Sequence, residues 1–592
     1  MFTRLCAQYM RYALPDEVEH ARRSTIGRPS SATLPDSIAA RPWLAVGRLV
    51  CAATWMMLAL ASPTMAAELP TVTIAQGKLT GLSDGGLHAF KGIPYAKAPV
   101  GTLRWKPPVP ASGWQGARAA TAFGPSCMQP PVAATSIYSD PPAAMSEDCL
   151  TLNVWAPAEA RKAPVVVWIH GGSLRIGGSA QPMYDGANFA RRGVIFVSAN
   201  YRLGVLGWLA HPSLAAESPQ HATGNYGLLD QLEALRWVND NIAAFGGDPG
   251  NVTVMGESAG ALSVTYLLAS PMAHGLFNKA ISESANTRAI PELAGPAYGL
   301  SGAGQIGEKI ATAIGAADLP ALRAMDAETL TVEATKAGFS PQGTIDGWSL
   351  TAQVVDVFDR GQQVQVPLLA GFNSGEVRSQ GFVAKDLPDE ATYEAKIKQG
   401  YGDLAPEFLR LYPASDIRES TLATLRDAIY GWATERMVRK QTQAGQPSYL
   451  YIFDHCYPAA KERGLCGFHA SELPYVFGFV GPDAMLPDNW PRPAGKVEQA
   501  MSEAMMDYWV GFIRDGVPGG ANRPIWPAYA ESEAYMHFAD KPVADFDPLP
   551  GMFEMQEELV SRRRRAGQQW FLNVGVSAPV MPPAATAPAV NR

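Results

Sequence analysis

The sequence predicts an α/β fold with a large, mostly parallel central sheet and helices on both faces. Three observations carry this expectation. Short β-branched runs recur along the chain, a helical apolar stripe lies between two of them, and a strand, a tight glycine-bracketed turn and a helix follow one another around Ser258. Alternating strands and helices of this kind bury a parallel sheet between helical layers.

The strand-like runs are Val165–Ile169, Val194–Ser198, Val252–Met255, Val366–Leu369 and Tyr449–Phe453. Each is short, apolar and bounded by turn residues, as a buried strand requires. Between the second and third, Leu228, Leu232, Leu235, Val238 and Ile242 recur at three- and four-residue steps, which puts them on one face of a helix. The chain has 592 residues, the size of one large α/β domain with insertions. Apolar residues make up 47% and charged residues 17%, and the formal charge is −7. That balance excludes a disordered chain and disfavours nucleic acid and other polyanions as partners.

Residues 1–67 read as a leader. Leu49–Ala61 is uncharged and apolar, preceded by Arg41 and Arg48 and followed by the small residues Ala66 and Ala67. The run is too short for a membrane span and fits a signal peptide, so the protein is expected to be exported, periplasmic or secreted, with no stable membrane span after cleavage. Residues 1–66 carry seven Lys/Arg and four Asp/Glu, so their removal leaves about −10. Residues 68–574 are expected to form a single domain, and 575–592, rich in Ala and Pro, a disordered tail. The basic run Arg562–Arg565 reads as the solvated end of a helix.

Past the leader there are four cysteines, Cys127, Cys149, Cys456 and Cys466. An even number in an exported chain points to disulfides, and nearest-neighbour pairing closes two short loops. No Cys/His spacing resembles a zinc site, and no cofactor or metal is expected.

The chemistry concentrates in two segments. Val252–Met255 runs into Gly256-Glu257-Ser258-Ala259-Gly260, a G-x-S-x-G motif between a strand and a helix. Such a turn lifts the Ser258 hydroxyl out of the sheet edge, with the positive end of the following helix behind it. Upstream, His170-Gly171-Gly172-Ser173 follows the strand ending at Ile169. Glycines there let backbone N–H groups approach a substrate oxygen. The N–H groups of Gly172, Ser173 and Ala259 are assigned as oxyanion donors, and His170 as a structural residue that pins the loop.

At this level of detail the sequence resembles the type-B carboxylesterase/cholinesterase-like family of α/β-hydrolases. The resemblance rests on 90–96 (FKGIPYA), 99–105 (PVGTLRW), 147–154 (EDCLTLNV), 200–202 (NYR), 224–231 (GNYGLLDQ) and 245–249 (FGGDP), with the serine motif, and so spans nearly the whole mature chain. It implies an α/β-hydrolase fold, a Cys127–Cys149 bridge and a structural Arg104–Glu147 ion pair. It also implies a glutamate as triad acid in a G-x-N-x-x-E segment, which selects Glu376. The family's usual neighbours of that glutamate, an aspartate before and a glycine after, are Gly375 and Val377 here. The base must follow the acid in this fold. Of His455, His469 and His537, His469 lies in the segment that resembles the family's, with Ala470 where glycine is usual.

The function so implied is ester hydrolysis by a Ser258–His469–Glu376 triad through an acyl-enzyme, acting on a small-molecule ester. The alternatives are a lipase, amidase or thioesterase on the same scaffold, or a silent adhesion module, which would lack a triad member. Choline esters are disfavoured: the Cys127–Cys149 loop offers Tyr138 but no tryptophan as a cation–π platform.

Overall fold

The computed structural model describes residues 69–381, 383 and 386–584. The leader and its cleavage site lie outside the described residues.

Among the described residues, eleven strands form the main sheet. In chain order they are β1 (Leu82–Asp84), β2 (Leu87–Pro94), β3 (Thr151–Pro157), β4 (Ala163–Ile169), β5 (Ile195–Ala199), β6 (Gly247–Glu257), β7 (Lys279–Glu283), β8 (Leu368–Asn373), β9 (Ser448–Phe453), β10 (Ala534–Phe538) and β11 (Pro542–Phe546). Their spatial order is β11-β10-β9-β8-β7-β6-β4-β5-β3-β2-β1. Every neighbour from β5 to β10 is parallel, and the outer pairs are antiparallel. The five expected strands are β4, β5, β6, β8 and β9, with shifted ends. The α/β-hydrolase fold that the sequence predicts is therefore the fold observed.

The sheet is buried on both faces because its strands alternate between two cores. Val165, Val167 and Ile169 of β4 pack with Leu228, Leu232 and Leu235 of helix α1 (Tyr226–Asn241) and with Leu262 of α2 (Ala259–Ala269). Val166 and Trp168 face the other way, onto Met505, Trp509 and Phe512 of α3 (Lys496–Asp515). The period of two along the strand sets both contacts at once.

Two of the family-like segments meet in the interior. Arg202, just after β5, grips Asp230 of α1 through Nε (2.8 Å), Nη2 (2.7 Å) and its backbone N–H (3.0 Å). Both side chains are buried, and Arg202 Nη1 donates to the Lys106 carbonyl at 2.9 Å. Arg104 and Glu147 pair at 2.7 and 2.5 Å, and Cys127 and Cys149 are bridged, as the resemblance implies. Cys456 and Cys466 are bridged as well.

Two expectations fail at the C-terminus. Arg562–Arg565 does end a helix, α4 (Met552–Arg565), but it is not simply solvated: Arg562 and Arg563 are only 4% and 1% exposed. Arg562 pairs with Asp403 at 2.7 Å and Glu558 at 2.6 Å, and Arg563 donates to the Pro579 carbonyl at 3.0 Å. The tail expected to be disordered from 575 is ordered as far as 584. It folds back over this helix, with the Met581 N–H on the Gly400 carbonyl at 2.7 Å and its side chain buried. Composition marks the segment as Ala/Pro-rich but does not show that a groove awaits it.

The Arg202–Asp230 pair gives a test of the fold. Asp230→Asn leaves a buried guanidinium without its counter-charge and should cost about 3–5 kcal/mol. Urea unfolding of the variant against the parent measures this, and a change near zero would show that the pair contributes little.

Candidate active site

The loops that follow β4, β6, β8 and β9 all leave the same edge of the sheet, because these strands are parallel. That edge carries the candidate site. It lies at the topological switch point, where β4 sits between β5 and β6.

Ser258 sits between β6 and α2 with φ 57° and ψ −118°, a strained conformation for a residue with a side chain. Its N–H is held by the Glu283 carbonyl at 2.9 Å, and its carbonyl accepts from Leu262 N–H at 2.9 Å. The flanking glycines are sterically required. A Cβ on Gly256 would lie 2.5 Å from the Gly260 carbonyl carbon, and one on Gly260 would lie 2.0 Å from the Ile169 oxygen. The turn is thus pressed against the end of β4, where the glycine loop begins.

His469 reaches Ser258 from the loop after β9. Its Nε2 is 2.8 Å from Ser258 Oγ, and its Nδ1 is 2.5 Å from Glu376 Oε2. Glu376 opens the 3-10 helix Glu376–Ser379 after β8 and is fully buried. An ionised carboxylate only accepts hydrogen bonds, so Nδ1 carries a proton; in the neutral imidazole Nε2 then accepts from the hydroxyl. The other carboxylate oxygen, Oε1, accepts from Asn373 N–H at 2.8 Å and from Ser284 Oγ at 2.6 Å. The structure therefore brings the three expected side chains together. The other two downstream histidines lie elsewhere: His455 faces Glu498 at 3.5 Å, and His537 faces Asp454 at 3.2 Å.

The departures around Glu376 and His469 have local causes. Gly375 donates its N–H to the Gly467 carbonyl at 2.9 Å, and a Cβ there would lie 2.0 Å from the Cys466 oxygen. A larger residue at 375 has no room beneath the Cys456–Cys466 loop. Ala470 takes φ +67°, the left-handed region that explains why glycine is usual at this place.

The glycine loop runs close beside Ser258. A Cβ on Gly171 would lie 3.3 Å from Ser258 Cβ, and Gly172, Ser173 and Leu174 have φ of +104°, +58° and +58°. A Cβ on Gly172 would lie 2.1 Å from the Ile176 oxygen. His170 is buried, stacks on Tyr201 at 4.5 Å and uses Nδ1 on the Gly171 carbonyl at 2.8 Å. Burial lowers its pKa to about 4, so it is neutral and pins the loop.

Sequence reading did not find the charges behind the array. Glu257, Glu283 and Glu472 are all buried close to it. Glu257 Oε1 is 3.2 Å from His469 Nε2, Glu472 accepts from Asn373 Nδ2, and Glu283 accepts from Trp509 Nε1 at 2.5 Å. Burial, reinforced by the neighbouring carboxylates, pushes all three carboxyls upward. Burial alone would lower His469, but Glu257 and Glu376 outweigh it and hold the imidazole above its ordinary pKa. Glu257 lies inside the serine motif, yet the motif leaves that position open. Ser284 has no sequence signal at all; it reaches the site because Glu283 and Gly371 are in register across β7 and β8.

Residues 68–556 match the model of the carboxylesterase family. The chain belongs to that family. Members similar to it include a fumonisin B1 esterase of Sphingopyxis macrogoltabida, 35% identical over 88% of this chain and 96% of that protein. A para-nitrobenzyl esterase of Bacillus subtilis is 36% identical over 78% and 92%. Among solved carboxylesterases, the Geobacillus stearothermophilus enzyme EST55 aligns with a TM-score of 0.70 at 34% identity, covering 84% of this chain and all of that one. This carboxylesterase-family chain is thus a hydrolase of carboxylic esters. Among its described residues, no helix is long and apolar enough to cross a membrane.

An imidazole that acts as a base must be unprotonated, so a rate carried by His469 should fall as pH drops through its pKa. Glu257→Gln removes a negative neighbour that raises this pKa. The acidic limb of the kcat/KM profile should therefore move to lower pH in the variant. An unmoved limb would show that Glu257 carries no charge that His469 feels.

Proposed function

We propose that this enzyme hydrolyses small-molecule carboxylic esters by nucleophilic catalysis, with Ser258 as nucleophile, His469 as base and Glu376 as the carboxylate that orients the base. The observation that carries the reading is the single imidazole hydrogen-bonded to both partners, at 2.8 Å to Ser258 and 2.5 Å to Glu376. A serine hydroxyl is a poor nucleophile at neutral pH. His469 Nε2 takes its proton as Oγ attacks the ester carbonyl, and Glu376 stabilises the imidazolium that forms. The carbonyl oxygen gains negative charge and accepts from the N–H groups of Gly172, Ser173 and Ala259. Losing one such donor typically costs about 2.7–4 kcal/mol of barrier. His469 then protonates the departing alcohol, leaving an acyl group on Ser258. Water, deprotonated by the same nitrogen, releases the acid.

The complete array favours this reading over a silent adhesion module, and the esterases among the relatives favour esters over amides or thioesters. We read residues 68–574 as one hydrolase domain and the protein as exported. Two disulfides support export, because such bridges persist in oxidising compartments. The similarity to a fumonisin B1 esterase and a para-nitrobenzyl esterase makes their named substrates the first natural and synthetic esters to try.

Ser258→Ala should keep the parent's melting temperature and lose about six orders of magnitude in kcat on p-nitrophenyl esters. Turnover by the variant within tenfold of the parent would remove Ser258 from the mechanism. Product analysis of fumonisin B1 and matched nitrobenzyl esters and amides, with the same variant as control, assigns the substrate class.

A further inference from the structure

Tyr138 is the aromatic residue of the loop closed by Cys127 and Cys149, and it does not stand free in the cleft. Its hydroxyl lies 2.9 Å from the His469 carbonyl oxygen and 2.7 Å from Ser379 Oγ. A carbonyl only accepts, so the single phenolic proton goes to His469, and Ser379 must donate to the phenol oxygen. The resulting chain runs from Ser379 O–H to Tyr138 O–H to the His469 carbonyl.

Its two ends are informative. Ser379 closes the 3-10 helix that Glu376 opens. The His469 carbonyl belongs to the peptide that leads into Ala470, whose φ of +67° is costly for any residue with a Cβ. Glycine at that position would rest there without strain; here the peptide needs an outside partner to hold its orientation. The ring of Tyr138 is itself fixed. Trp490 meets it edge-on at 5.8 Å and also packs on Phe468, the neighbour of His469, at 5.0 Å. Asn489 ties the same loop down by donating to the Ala134 and Ser136 carbonyls at 2.6 and 3.2 Å.

We infer that Tyr138 is a positioning residue for the reaction: its hydroxyl locks the main chain of His469 to the helix of Glu376, so that the imidazole meets the carboxylate and Ser258 in line. The disulfide loop thereby acts as a strut for the base. Burial raises the phenol well above its ordinary pKa, which keeps it a neutral donor across the working range. This inference rests on the triad reading proposed above.

Tyr138→Phe keeps the ring and deletes the hydroxyl. It should lower kcat about ten- to a hundredfold with KM within about twofold, equally for short and long acyl chains. Looser contact with Glu376 also lowers the pKa of His469, so the acidic limb of the rate profile should move to lower pH. Ser379→Ala should act in the same direction, and Tyr138→Phe with Ser379→Ala should lose no more than Tyr138→Phe alone, because one hydroxyl chain carries both effects. If Tyr138→Phe melts far below the parent, Ser379→Ala carries the same measurements in a folded protein. The inference is overturned by an unchanged kcat and pH limb, by additive losses, or by an effect confined to KM that varies with acyl size, which would mean that Tyr138 touches substrate. Failure of the triad reading looks different: Ser258→Ala and His469→Ala would then retain turnover.

Discussion

An imidazole has two ring nitrogens and, when neutral, one proton between them. His469 commits that proton to Glu376 and keeps its other nitrogen for Ser258. The geometry of the site depends on this one ring being held in one orientation. The three side chains come from loops after three different strands, β6, β8 and β9. They meet because the parallel sheet delivers those loops to a common edge, and because the glycines at 256 and 260 let the serine turn press against β4. A slip of one residue in any of these strands would turn its side chains to the opposite face.

Holding the ring requires burying charge, and the surroundings offset the cost. Glu376 is fully buried, yet both of its oxygens are hydrogen-bonded, one to His469 and the other to Asn373 N–H and Ser284 Oγ. Glu257, Glu283 and Glu472 have poorer company, and burial drives them toward the neutral form. The site thus keeps one carboxylate hydrogen-bonded by fixed donors and sets beside it three acids whose ionisation burial opposes; where Glu257 does ionise, its charge falls on the imidazole.

Much of this was legible in the sequence, and the legible part is what local pattern encodes. The runs at β4, β5, β6, β8 and β9 are apolar because the sheet is covered on both faces. The Ser258 motif is readable because its steric demand falls on residues two positions away. Family-like segments supplied the Arg104–Glu147 pair and the choice of Glu376 and His469. What escaped depends on contacts between distant parts of the chain. Ser284 is an ordinary serine until β7 pairs with β8. Arg562 and Arg563 of α4 look solvent-facing until Asp403 and the Pro579 carbonyl meet them. Strands β7 and β10 are absent from the sequence expectation, although KAISE and AYMHF lie within the parallel sheet. The glycine at 375 and the alanine at 470 looked like departures from the family; the structure gives the first a steric cause in the neighbouring Cys456–Cys466 loop and shows the second bearing backbone strain.

The central claim is that ester cleavage passes through a covalent acyl group on Ser258. A p-nitrophenyl carbamate, whose acyl-enzyme hydrolyses slowly, tests it most directly by rapid mixing followed by peptide mass spectrometry. A burst of nitrophenol equal to the enzyme present and a carbamoyl group on the peptide containing Ser258 are expected. Steady turnover with no burst, or a carbamoyl group on another residue of fully active enzyme, would contradict it.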